Sequence, residues 1–206
     1  METMITGDSR TREMISNALK AEGRPDKAFL AINPASAIMR PSAVLPGGAD
    51  VVRFDSFPHP NTSFYVGVTG EKVFYLTESP EAFTALMHDV GLRVASPVDA
   101  VAVAHWFVET TRAMHVFSRV LGSVGDIEWA SGPLAPRPQD VAALVGRLRD
   151  VITPPTAEAQ GNAYLVTLYV LRGSTLERRR ITVTGDGDIQ DRADRVAKDL
   201  PVPISM

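Results

Sequence analysis

The chain has no cysteine in 206 residues. That absence excludes disulfides, thiolate metal sites and cysteine nucleophiles together. No apolar run approaches the roughly 20 residues that a membrane-spanning helix needs. Residues 1–12 lack the apolar stretch of a signal peptide, so a cytoplasmic protein without membrane association is expected. Positive charge is not in excess either: the net charge is −3 and the pI is near 5.8. A protein that coats nucleic-acid phosphates is usually basic, so nucleic acid is not an expected partner. Lysine is scarce, 4 residues against 17 arginines. With abundant Ala and Val, that bias suggests GC-rich bacterial coding.

Several motifs are missing as well. There is no Gly-x-x-x-x-Gly-Lys, and Gly185-x-Gly187 is never completed to Gly-x-Gly-x-x-Gly. Gly122-Ser123-Val124-Gly125 has the wrong spacing for a nucleophile elbow. P-loop ATPases, Rossmann oxidoreductases and α/β-hydrolases are therefore disfavoured, and no cofactor is expected. The four histidines (His59, His88, His105 and His115) show no metal-binding spacing, so no metal site is expected. Gly185-Asp186-Gly187-Asp188 has an acidic flavour but lacks the later ligands of a calcium loop; it reads as a turn.

What the chain does contain is a strong hairpin signal. Tyr164 to Leu171 is apolar on both faces, Arg172-Gly173-Ser174-Thr175 makes a turn, and Leu176–Thr184 returns with Arg178-Arg179-Arg180. The first strand should be covered on both sides. The arginine-rich partner should be the water-facing edge. Beyond it, Asp188 onward reads as a short third strand or as a terminal helix over Asp191–Leu200.

Further strands are expected at Lys27–Ile32, Val51–Phe57, Ser63–Thr69, Val73–Thr77 and Asp126–Trp129. The first helix runs from Ser9 or Thr11 to Glu22. Ser79-Pro80 and Ser96-Pro97 are helix starts. The second opens the longest helix, Pro97–Leu121, and another helix covers Gln139–Ile152. Asn33–Asp50, with three prolines, reads as a loop that is functional or mobile.

Strands that cluster rather than alternate with helices indicate an α+β fold, an antiparallel sheet with the long amphipathic helix packed on it. The C-terminal helix-then-hairpin unit resembles the cystatin-like arrangement, as an analogy of fold alone. The chain reads as one compact domain over residues 9–206, with 9–95 and 96–206 as two candidate lobes. Residues 1–8 are a polar tail; Thr3-Met4-Ile5-Thr6 followed by Asp8-Ser9 resembles the start of bacterial β-galactosidase.

The polar face of the long helix gathers His105, Glu109, Arg112 and Arg119. His105 and Glu109 are four apart, so a carboxylate is positioned to orient an imidazole for general-base work. Arg112 would hold an anionic group. Glu109 and Arg112, three apart, suit an ordinary surface ion pair equally well, and the solvated face of an amphipathic helix is the blander account. On the hairpin, Arg178 and Arg180 share one face and Arg179 takes the other, so the run is not a single cationic patch. Arg178 and Arg180 are still placed to receive a carboxylate or an acidic peptide added to that edge. Phe54, Phe57, Phe64, Tyr65, Phe74 and Tyr75 suit a core. A ligand pocket among them, closed by the Asn33–Asp50 loop and the Pro58-His59-Pro60 turn, would make His59 a binding residue.

The favoured expectation is a non-catalytic binding or accessory protein that recognises a small molecule or a peptide, by sheet-edge addition in the peptide case. The rival is a cofactor-independent acid/base enzyme using His105 and Glu109. A third reading is a structural homodimer whose exposed strand pairs with its own copy.

Overall fold

Alternating apolar positions arrange the strands into two antiparallel five-stranded sheets, so the α+β class holds with two sheets in place of one. The computed structural model describes residues 3–5, 9–40, 45, 48–56, 60–132 and 135–203. The chain divides into two units, Met1–Arg93 with Trp106–His115, and Val94–His105 with Val116–Met206.

In the first unit the strands run in sequence order: β1 (Thr3–Ile5), β2 (Ala37–Arg40), β3 (Asp50–Asp55), β4 (Phe64–Thr69) and β5 (Lys72–Tyr75). Thr3–Ile5, set apart as tail in the sequence reading, adds an edge strand to β2. β2 itself lies inside the stretch read as the loop Asn33–Asp50. Side-chain alternation divides the faces of β4. Phe64 and Val66 join Phe54 and Tyr75 in a core with Ile15, Leu19, Ala28 and Ala31, which come from α1 (Ser9–Ala21) and α2 (Pro25–Ile32). The other face presents Tyr65 and Gly67, and a methyl at Gly67 would overlap Leu86, which lies on α3 (Pro80–Asp89). α2 corrects the expected strand at Lys27–Ile32. Pro25 sits at its start with Asp26 in the first turn, and the i,i+3 pair Ala28 and Ala31 is buried. A short apolar run does not by itself distinguish strand from helix.

The Ser-Pro starts fall where expected. α3 begins at Pro80 after Ser79. α4 (Pro97–Thr110) is boxed by Ser96, whose Oγ accepts from the Asp99 amide and donates to its carboxylate. α4 is shorter than the helix expected to reach Leu121. Thr110 and Thr111 turn their hydroxyls back onto the carbonyls of Trp106 and Phe107, a competing bond that loosens helices. Ser118–Leu121 then pairs as β6 with β8, which buries Leu121 fully.

In the second unit β8 (Ala163–Arg172) is central. β6 and β7 (Thr156–Gln160) share one side of it and β9 (Thr175–Thr184) takes the other. Leu168 and Val170 on one face of β8, and Tyr169 and Leu171 on the other, are all buried, as a strand apolar on both faces requires. The Tyr169 and Leu171 face packs with Leu121, Ile127, Ile152, Leu176, Leu200, Val202 and Leu148, the last from α5 (Pro138–Leu148).

The arginine-rich strand is not the edge. β10 (Ile189–Ala197) covers it along its length, where a terminal helix over Asp191–Leu200 was one of the two expectations. Asp191 and Asp194 face the arginines of β9 and are bound by them, a cross-strand match that outweighs the weak β propensity of this segment. Asp126–Trp129, expected as a strand, begins in the 3-10 turn at Val124–Asp126 and pairs with no strand among the described residues. Among the described residues no helix is long and apolar enough to cross a membrane.

Candidate functional site

Two clusters of polar side chains stand out, one in each unit. The first lies on the Tyr65 face of its sheet. Arg53 and Tyr65 are direct cross-strand partners on β3 and β4. The Arg53 guanidinium grips Asp55 through Nε at 3.0 Å and Nη2 at 2.8 Å, and reaches the Tyr65 hydroxyl at 3.5 Å. The Tyr65 hydroxyl donates to Glu109 Oε1 at 2.5 Å, and Arg112 Nε donates to the same oxygen at 3.1 Å. A connected chain results, Asp55, Arg53, Tyr65, Glu109, Arg112, in which the neutral phenol joins two ion pairs.

Burial is the largest influence on the Tyr65 phenol, followed by the Glu109 charge and the bond donated to it; together they push its pKa up to about 12. Burial alone would lower the Arg53 guanidinium, but hydrogen bonds to Asp55 and Tyr65 hold it above its ordinary value. Every charge in the cluster has an opposite neighbour, which is the arrangement of a satisfied structural network.

This geometry places the residues singled out for chemistry. Glu109 and Arg112 are together, as an ion pair tied to Tyr65. The carboxylate expected to orient His105 is therefore held by other groups. His105 is exposed, and its imidazole makes no hydrogen bond or ion pair among the described residues. His59, with Phe57, lies outside the described residues. Arg178 and Arg180 converge on the Asp194 carboxylate, at 3.4 and 2.7 Å. Arg180 overcomes the cost of Asp194's own desolvation and keeps that acid below its ordinary value. Among the described residues no group of three or more His, Asp or Glu is placed to hold a metal ion.

The second cluster surrounds a cleft of about 110 Å³ in the second unit, lined by Phe117, Arg119, Asp126, Glu128, Leu171, Val202 and Pro203. Arg119 and Leu171 are direct partners across β6 and β8, so their side chains emerge on one face. Leu171 and Val202 are buried beneath, and Phe117 stays 39% exposed. The rim is charged. Arg119 pairs with Glu128 at 2.6 Å, and Asp126 accepts the amides of Gly122 and Ser123 at 2.7 and 2.8 Å. Those two amides are the main reason the Asp126 acid is held below its usual range.

The backbone beside this cleft is open. Gly173 N–H donates to the Phe117 carbonyl at 2.7 Å, so residues 117, 119 and 121 turn their amides toward β8. In an antiparallel ladder the alternate residues, Ser118 and Val120, turn theirs outward. No turn or loop bond engages them among the described residues.

Sequence reasoning missed this cleft because it assigned Phe117 and Arg119 to the long helix. The readable signal was Ser123-x-x-Asp126, a capping-box spacing that starts a new turn and is formed here. Fold and site together define an α+β protein of two antiparallel sheets with a small apolar cleft under a charged rim. Comparison with protein-family models, curated proteins and solved structures finds no match for this chain.

Proposed function

We propose that this is a non-catalytic binding protein that takes an extended peptide along β6, with one apolar side chain of the peptide seated in the cleft. The observation that carries the reading is the size and lining of that cleft. Cofactor and drug-sized ligands fill pockets of about 300–1,000 Å³, and a cavity near 150 Å³ holds a benzene. At about 110 Å³, the space suits a single aliphatic side chain of the size of Val, Leu or Met. The floor of Phe117, Leu171, Val202 and Pro203 matches that chemistry. The outward backbone groups of Ser118 and Val120 supply what an added strand needs. Arg119, Asp126 and Glu128 carry one positive and two negative charges around it, which favours neutral or basic residues next to the apolar anchor.

The site thus differs from the one expected at Arg178 and Arg180, whose strand is paired on both sides. The acid/base reading draws no comparable support, since Glu109 is engaged by Tyr65 and Arg112.

A display selection of random peptides on the whole chain tests the proposal. The expected result is enrichment of peptides with one aliphatic residue flanked by neutral or basic ones. Replacing that residue by Ala should weaken binding about tenfold or more, the effect of losing a buried aliphatic anchor. Phe117→Asp, at an exposed position, should abolish binding while leaving the circular dichroism spectrum unchanged. Peptides that bind Phe117→Asp as well as they bind the wild type would sink the reading.

A further inference from the structure

The geometry points to a second copy of this chain as the partner of β10, joined antiparallel about a two-fold axis through Ala193. β10 pairs only with β9, and its outer side is an edge of the sheet among the described residues. The hydrogen-bond phase shows which residues serve that edge. Thr184 N–H donates to the Asp188 carbonyl at 3.0 Å, and the register continues as 190 with 182, 192 with 180 and 194 with 178. Those residues turn their backbone groups toward β9. Asp191, Ala193 and Arg195 therefore turn theirs outward, and all three are exposed.

The side chains then select the partner. The edge reads Asp191-Arg192-Ala193-Asp194-Arg195. With Ala193 opposite the copy's Ala193, Asp191 stands opposite Arg195 and Arg192 opposite Asp194, in both directions across the axis. All four charges of each strand meet an opposite charge. No other centre within this segment does so: axes at 191, 192, 194 or 195 each put a charged residue opposite itself, where like charges destabilise pairing. Beyond Arg195 a register shift interrupts the strand before Ala197, so the matched segment is Asp191–Arg195.

Charged edges normally repel other strands. Within Asp191–Arg195 this one repels every centre but Ala193, and in that register it is self-complementary, as an isologous interface must be. The arginines also have room for the new partners. Arg192 has only Asp194 at 3.7 Å and its side chain is 76% exposed, and Arg195 has no ion pair among the described residues. Ala193 at the centre lets the two backbones approach without a large side chain between them.

Sedimentation equilibrium on the full chain, at concentrations up to about 100 μM, tests this. The wild type is expected to be a dimer. Arg192→Asp with Arg195→Asp sets like charges face to face and should raise the dimer dissociation constant at least about tenfold. Ala193→Pro removes the central outward donor, leaves the β9 ladder untouched, and should give a monomer by a route that does not depend on charge. Circular dichroism checks that both variants are folded. A wild type that stays monomeric, whether free or carrying an acidic extended peptide on β10, overturns the proposal. So does a dimer that survives in both variants.

Discussion

Tyr65 is the residue on which the first unit's polar network turns. Its ring is buried and its hydroxyl lies between Arg53 and Glu109. Tyr65→Phe leaves Glu109 with Arg112 and Arg53 with Asp55, so no charge is orphaned. The expected cost is that of one charge-assisted hydrogen bond, about 1.5–3 kcal/mol, measured by urea unfolding near neutral pH. The phenol also makes that stability pH-dependent. Its pKa rises from 10.0 to about 12 on folding, so the folded state favours the neutral form. The contribution is whole below pH 10 and is lost as pH climbs through about 12. Wild type and Tyr65→Phe should therefore differ in stability at neutral pH and converge in strong alkali. A gap that stays constant or widens above pH 11 would contradict this account of Tyr65.

At the scale of elements, close approach and pairing decide more than local propensity. Gly67 is required in β4 because α3 lies against that face; the added methyl of Gly67→Ala would meet Leu86, which is fully buried and has little room to move. Overpacking of this kind costs about 1–3 kcal/mol, to be read as a lowered urea midpoint at unchanged slope. Midpoints that coincide would mean that α3 yields freely. The β8–β9 hairpin was legible because its alternation and its turn agree. β10 was ambiguous because Asp191, Asp194 and Arg195 have spacings that also stabilise a helix; the deciding partners are the arginines of β9, near in sequence only through the turn. Phe117 and Arg119 were misplaced for a similar reason. An apolar stripe persists past Thr110, and only pairing with Arg172 to Tyr169 shows that Ser118–Leu121 is a strand. The cleft joins residues 117, 126, 171 and 202, a set that no local pattern marks.

For the molecule as a whole, the informative fact is that neither unit is a continuous piece of chain. The first unit closes with Trp106–His115, taken from beyond Val94–His105. The Phe107 ring packs edge-on against Phe83 at 5.6 Å between centroids, Glu109 bonds Tyr65, and the Glu78 amide donates to the Thr111 carbonyl. Trp106, Phe107 and Val108 are all buried. Burial of side chains of this kind contributes roughly 1.5–3 kcal/mol each, and their sum is comparable to the entire stability of a domain, about 5–15 kcal/mol. A fragment of residues 9–95 holds every strand of this sheet but β1 and lacks that closing segment. It should give a collapsed amide spectrum by NMR with no cooperative urea transition. A fragment of residues 1–115 restores the segment and should recover dispersed resonances for β3, β4 and β5. Dispersion in the shorter fragment equal to that of the longer one would show that Trp106–His115 is dispensable. The boundary between the candidate lobes would then be a true domain boundary, and Tyr65 would hold its place without Glu109.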